Sequence, residues 1–295
     1  MKKYSSEDKR SYFKAQMDQL KGTIEDKIHS FLENSEELKK FIDFRRQHFY
    51  SYSLNNSVLI YKQCPEASYV AGYNKWKSLG YLVRKGEKGL SILIPLIKNT
   101  EDDKTSTEKK VIYGFKKGTV FDISQVEATE EAVELPNIDI SIKETDNTLY
   151  DSKELLYGTR AFIEQHCPVV ESHDLERAVG MTDGKNIYVK LTDNFIDMAG
   201  VLIHEFTHFW NHYKENRYKL TKNLKESEAE LCTLIFGSYF NLDINGAYKY
   251  LSMYRKERDI GQCFETAYRT FEYIMDGSEN KRGLESILEG HKIEG

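Results

Sequence analysis

The stretch Val201 to Trp210 reads VLIHEFTHFW and sets His204, Glu205 and His208 inside an otherwise apolar run. A buried polar group costs free energy unless something pairs with it. These side chains therefore need either hydrogen bonds within the fold or a metal ion. On a helix, residues four apart share a face with Cβ atoms about 6 Å apart, close enough for two imidazoles to hold one ion. Neutral imidazole suits Zn2+, and Glu205, next to the first ligand, is placed to act as general base toward a water at the ion. In a chain with 8 His, random order gives about 0.02 matches to His-Glu-x-x-His.

A catalytic zinc takes three protein ligands and keeps one position open. His212 continues the helical stripe but lies about 12 Å along the axis from His204, too far to close on the same ion. The longer pattern with a third His also fails, because Asn211 and Lys214 occupy its Gly and His positions. The acidic residues of LKESEAELCTLIFG remain. At about 100° per residue, Glu226 and Glu230 share a stripe with Ala229, Thr233 and Gly237, while Glu228 points almost oppositely. Small residues there would let this helix press on the motif helix. Glu226 is the expected third ligand, with Glu230 orienting a histidine from behind. The alternative for each is a solvated acidic face. His166, His173, His212 and Tyr213 all remain open as the oxyanion-stabilising side chain. The run NIYVKL is either an internal strand or one that takes a substrate peptide as an added strand.

These residues need a scaffold, and hydrophobic periodicity supplies its outline. Residues 6–50 read as one or two helices, Leu54 to Gln63 as another, and Asn74 to Leu79 as a short one ending at Gly80. Strand signals follow in YLVRK, LSILIPLI, VIYGFK and TVFDIS, with a break at Lys117-Gly118 and a polar loop over residues 98–110. In the second half, a helix near Lys153 to Gln165 precedes a hairpin built on the two-residue turn Asp183-Gly184. Helices Phe195–Tyr213, Lys225–Phe240 and Phe264–Met275 complete it. The fold class is α+β: a first half with an antiparallel sheet, and a mostly helical, zincin-like second half with a small sheet. Boundaries are expected at 1–127, an acidic linker at 128–150, and 151–295.

Composition limits the function further. The net charge of −5 hides a division, since residues 1–126 carry 23 Lys and Arg against 16 Asp and Glu, leaving the remainder strongly acidic. A basic half is the one that can meet a polyanion. Cys64, Cys167, Cys232 and Cys263 have no paired spacing and read as reduced thiols, arguing against a Cys-based metal site. The opening has no apolar leader core, and no run reaches the ~18 apolar residues of a membrane span. A cytoplasmic protein without membrane contact is expected.

Between Phe49 and Lys88, eight aromatic residues alternate with Lys62, Lys75, Lys77, Arg84, Lys85 and Lys88. Single-stranded nucleic acid is held by such pairing, aromatic faces stacking bases and basic groups following phosphates. The same rings would equally fill the core of a small α+β domain. Specific motifs favour the first use. Asn55-Asn56 stands ahead of Leu-Ile and Gln-x-Pro, Trp76 lies in a short helix, and VRKGEKG (Val83–Gly89) and FDISQ (Phe121–Gln125) follow. Over residues 40–127 this pattern resembles the N-terminal domain of ArdC-type antirestriction proteins of mobile elements. That family joins a single-stranded-DNA-binding domain to a His-Glu-x-x-His metallopeptidase-like domain. The resemblance implies DNA contacts from Tyr52, Asn55, Asn56, Tyr61, Lys62, Trp76, Lys77, Arg84, Lys85 and Lys88. Two departures stand out: the Trp- and Pro-rich opening of many members is absent, and the acidic pair before the third ligand is Lys225-Glu226. The expected function is antirestriction, with single-stranded DNA as partner and Zn2+ as cofactor. The alternatives are an endopeptidase cleaving a regulator or host protein, with the first half recognising protein, and a binding module whose zinc is structural.

Overall fold

A computed structural model of the chain describes residues 6–101, 108–135, 150–172, 175, 178–214, 220–242 and 260–293. The fold is α+β. It divides into two units, Met1–Ser30 with Asp43–Glu144, and Phe31–Ile42 with Thr145–Gly295. The second unit includes Phe31–Ile42 because Phe31 and Phe41 stack at 4.6 Å and lie 6.1 and 6.0 Å from Phe264 and Tyr268. A sequence boundary at 127 does not anticipate this segment, since aromatic burial takes no account of chain order. Most of the acidic stretch expected to link the halves, residues 136–149, lies outside the described residues.

The chain begins with α1 (Ser6–Phe31) and α2 (Ser35–Phe44), then a π-helical turn at Arg45–Phe49 and α3 (Leu54–Gln63). Buried Arg45 holds that turn to α3 by donating to the carbonyls of Phe49 and Tyr52 and to Ser57 Oγ at 3.2, 2.7 and 2.8 Å. After β1 (Val70–Ala71), α4 (Tyr73–Ser78) and β2 (Tyr81–Val83) come two long strands, β3 (Leu90–Glu101) and β4 (Glu108–Asp122), then β5 (Val126–Ala128). The main sheet has the order β1-β4-β3, antiparallel throughout. The expected break at Lys117-Gly118 does not occur. Gly118 pairs with Ile92 inside one continuous strand, where a Cβ would lie 2.4 Å from Ile94 Cδ1. The glycine makes room for a neighbouring side chain rather than a turn.

Several residues expected to contact DNA are instead braces of this unit. Trp76 is fully buried between Tyr69 and Tyr81, and its Nε1 donates to the Phe121 carbonyl at 2.9 Å. Tyr61 is also buried, packed edge-on against Phe44. A ring without an open face cannot stack a base, so both are core residues. Asn56 pairs its amide with both backbone groups of Leu93, at 2.9 and 2.8 Å, which ties α3 to β3. Tyr52 donates to the Val70 carbonyl, and Arg84 donates to the carbonyls of Val126 and Ser124 and pairs with Glu87. The two turn motifs lock together, because Gln125 Nε2 donates to Glu87 and to the Lys88 carbonyl at 3.0 and 2.9 Å. Asn55 is half-buried, whereas Lys62, Lys77, Lys85 and Lys88 are exposed.

The second unit opens with α5 (Ser152–Glu164), whose N-terminus is closed by a capping box from Asp151 and Glu154. Its sheet contains β6 (Val169–Ser172), β7 (Gly180–Thr182) and β8 (Ile187–Lys190) in the order β6-β8-β7. The NIYVKL run therefore forms the central strand, parallel to β6 and antiparallel to β7. With both edges paired it cannot take up a peptide; among the described residues, β6 and β7 are the edge strands. The hairpin turn also differs from expectation, since Thr182 pairs with Ile187 across the four residues 183–186, with Gly184 at φ 79°. Next, α6 (Phe195–Thr207), capped by Asn194, runs into a π-helical segment at His208–Lys214. It is followed by α7 (Lys222–Tyr239), α8 (Ile260–Asp276), a small hairpin of β9 (Gly277–Ser278) and β10 (Lys281–Arg282), and α9 (Leu284–Ile293). Met198, Leu202, Ile203, Phe206 and Phe209 form the buried face of α6 and its extension.

Asp122 is the polar centre of the first unit. Its fully buried carboxylate accepts from the backbone N–H groups of Ser68, Tyr69 and Ser124 at 3.0, 3.2 and 2.8 Å. Asp122→Ala orphans these donors and is expected to cost about 3 kcal/mol or more. A urea titration of the full chain, compared with an exposed control such as Lys77→Ala, measures this directly.

Candidate metal centre

Two helices bring the ionisable groups together. From α6 and its π-helical extension come His204, Glu205, His208 and His212; from α7 come Glu226, Glu228 and Glu230. His204 Nε2 and His208 Nε2 lie 3.1 Å apart. Glu226 Oε2 lies 3.6 Å from the first and 3.5 Å from the second. A tetrahedral ion with bonds of about 2.0–2.1 Å requires ligand atoms about 3.3–3.4 Å apart. The donor set fits: two imidazoles and one carboxylate, converging at those spacings, can hold a divalent metal ion.

The surroundings tune each group differently. The two imidazoles, His204 foremost, hold the Glu226 carboxyl well below the usual carboxylate range. Burial opposes a charge on His204, but Glu226, Glu230 and Glu205 outweigh it and raise its pKa. Glu205 is itself pushed up by burial, partly offset by the imidazoles of His204 and His208. Burial also raises Glu230, whose Oε1 lies 3.7 Å from His204 Nδ1, beyond hydrogen-bond distance. His212 is pushed down by burial against the pull of Glu228. Buried thiols play no part here, Cys167 and Cys232 being pushed up to about 11 and about 12 by desolvation.

His204, Glu205, His208, His212 and Glu226 line a cavity of about 630 Å³ bounded also by Ala178, Gly180, Met181 and Thr182 and by Lys222 and Lys225. Edge strand β7 thus borders the same space as Glu205. Contact is close because of Gly180, where a Cβ would lie 2.4 Å from Val201 Cγ1 and 3.0 Å from Glu205 Cγ. Of the oxyanion candidates, His166 is engaged with the Phe162 carbonyl and Tyr273 Oη, away from the cavity. His173 lies outside the described residues. His212 is buried and hydrogen-bonded to His208 and Glu228, while Tyr213 lines the cavity and is 49% exposed.

Sequence reasoning missed Glu228, which the helical wheel turned away from the site. It is 1% exposed, and its Oε2 lies 3.1 Å from His212 Nε2. A wheel orders residues around one helix only, and α7 is buried on nearly every side, with Leu231, Cys232, Leu234, Ile235 and Phe236 all inaccessible. The second missed residue is Gly180, whose only signal was a glycine opening a hairpin.

Residues 18–121 match the family described as the N-terminal domain of anti-restriction factor ArdC. Most of the matched residues fall in the first unit. Across most of its length the chain is 27% identical to an uncharacterized Bacillus anthracis protein, pXO2-81, over 285 residues. That alignment covers 83% of this chain but 47% of the relative, so the chain spans about half the relative's length. The chain is also similar to the crystal structure of the antirestriction protein ArdC from plasmid R388 in its metal-free form. There the identity is 19%, covering 81% of this chain and 86% of that one at a TM-score of 0.47. For the Mn(II)-bound form of the same protein, the values are 18%, 80%, 89% and 0.42. Within the first unit, the motif residues Asn56, Trp76 and Gln125 are internal braces.

The charged pair at the centre gives a pH signature in protein stripped with chelator. Glu226, with a folded pKa below 4.5, stabilises above that value and loses its effect as the pH falls through the folded pKa. His204, with a folded pKa above 6.5, stabilises below that value and loses its effect as the pH rises through the folded pKa. The melting-temperature gap between the parent and Glu226→Gln should therefore be largest between pH 4.5 and 6.5 and shrink on both sides. Thermal melts across pH 3 to 9 (roughly the span in which these groups ionise) measure it.

Proposed function

We propose that this chain is an antirestriction factor of a mobile element that binds single-stranded DNA through its ArdC-type unit and carries a zinc peptidase-type centre at His204, His208 and Glu226. The observation that carries this reading is the presence, in one chain, of the ArdC-type unit and a tetrahedrally spaced donor set beside Glu205. Bound zinc would polarise a carbonyl and acidify a water. Glu205, buried against Gly180, would take the proton on its carboxylate, and its burial keeps that carboxylate basic. A peptide would align along edge strand β7, and Tyr213 would donate its phenol proton to the developing oxyanion.

On the DNA side, Lys62, Lys77, Lys85 and Lys88 are exposed and available to phosphates. Stacking must come from rings with open faces. Tyr113 and Phe115 on β4 are 61% and 47% exposed, and Lys116 and Lys117 follow them along the strand. Tyr50 and Tyr73 are likewise open, at 74% and 53%. A second reading, that the chain is first an endopeptidase, is favoured by the edge strand bordering the cavity.

Two measurements on the full chain test the proposal. In fluorescence titrations, single strands should bind more tightly than duplex. Neutralising Lys85 and Lys88 together should flatten the salt dependence, whereas Phe115→Ala should cost ~1–3 kcal/mol with the salt slope nearly unchanged. A full chain that ignores single strands at low salt would leave the endopeptidase reading in its place. In metal analysis after dialysis, one zinc per chain is expected, lost in His204→Ala and kept in Glu205→Gln. Should Glu205→Gln hydrolyse a peptide as fast as the parent, its assignment as base is wrong.

A further inference from the structure

Among the described residues, His208 has a hydrogen-bonded support that His204 lacks. Its Nδ1 lies 2.9 Å from His212 Nδ1, and His212 Nε2 lies 3.1 Å from Glu228 Oε2. Both His212 and Glu228 are 1% exposed. The matching nitrogen of His204 lies 3.7 Å from Glu230, too far for a hydrogen bond. Leu or Phe at positions 212 and 228 would meet no desolvation penalty there, so this buried pair requires an explanation.

We infer that Glu228 and His212 are positioning residues that fix the tautomer of His208, so that its imidazole presents a bare Nε2 toward the ion. The inference rests on the metal reading above. Proton order follows from the chemistry of the donors. With the Glu228 oxygen as acceptor, the proton of the His212–Glu228 contact lies on His212 Nε2. Neutral His212 then has a bare Nδ1, which can only accept. The proton of that contact must therefore come from His208 Nδ1. With its single proton there, His208 is left with a lone pair on Nε2, the atom that faces His204 Nε2 and Glu226 Oε2. Removing the acceptor at 228 frees His212 to turn its proton toward His208, which would move the His208 proton onto Nε2 and block the ligand position.

The test uses the full chain, with zinc affinity measured by competition with a chromophoric chelator. Long-range proton–nitrogen NMR of chelator-stripped protein reads the His208 tautomer. In the parent, His208 should carry its proton on Nδ1. Glu228→Leu should lose zinc affinity about 10–100-fold and show His208 protonated partly on Nε2. Glu228→Gln, which keeps an oxygen acceptor, should restore the parent tautomer and most of the affinity, a rescue that simple cavity filling does not give. If the parent binds zinc but its His208 carries the proton on Nε2, the inference is overturned and the metal reading stands. Zinc binding by Glu228→Leu as tight as the parent's overturns the inference in the same way. If Glu228→Leu does not fold, the parent's tautomer and the Glu228→Gln affinity decide the question. A parent that takes up no zinc removes the metal reading and this inference together.

Discussion

The second unit depends on the facing of α6 and α7, with imidazoles on one helix and carboxylates on the other. Neither set is tolerable alone. Three histidines within one helical stretch, His204, His208 and His212, would be a buried polar stripe without partners, and Glu226, Glu228 and Glu230 would repel one another. Set against each other, each group lowers the cost of its neighbours: Glu226 beside His204 and His208, Glu230 beside His204, and Glu228 on His212. The opposing shifts of Glu226 and His204 record that mutual support. Phe206 and Phe209 on α6 and its extension, and Leu231 and Ile235 on α7, are buried with them.

Polar groups play a different part in the first unit. Asp122, Asn56, Gln63 and Gln125 each satisfy backbone groups on a neighbouring element. These contacts tie α3 to β3 and clasp the turn at residues 84–89 to the short helical turn after β4. The unit gains definition from such bonds, because each one, if broken, leaves an unpaired donor or acceptor out of water. The motif signature thus encodes how the unit is held together, while its open surface includes exposed lysines and the rings of Tyr50, Tyr73, Tyr113 and Phe115.

Local rules made much of this chain legible. Helix α3 begins and ends at Leu54 and Gln63 as its periodicity requires, with Ser53 capping it and the chain leaving before Pro65. The helical spacing of His204 and His208, the stripe shared by Glu226 and Glu230, and the glycine after α4 all arise from interactions spanning a few residues. Propensity, capping and side-chain periodicity suffice there, because the deciding contacts lie within one or two turns.

Tertiary structure decided what those rules cannot reach. Composition brought Trp76, Tyr61 and the lysines together as a single basic-aromatic signal, but folding sent the rings inward and left the lysines outside. An aromatic ring serves a core and a base equally well, and only the neighbours brought by distant strands select between them. The same holds for NIYVKL, central because β6 and β7 flank it, and for Phe31–Ile42, which joins the second unit through Phe264 and Tyr268. Glu228 is the sharpest case. Its own helix turned it away from Glu226, yet a buried histidine from the π-helical segment meets it on that side. The sequence by itself determined which residues share a face, since that follows from backbone geometry. Which face is buried, and against what, depends on contacts between residues far apart in the chain, and those form only when the whole unit folds.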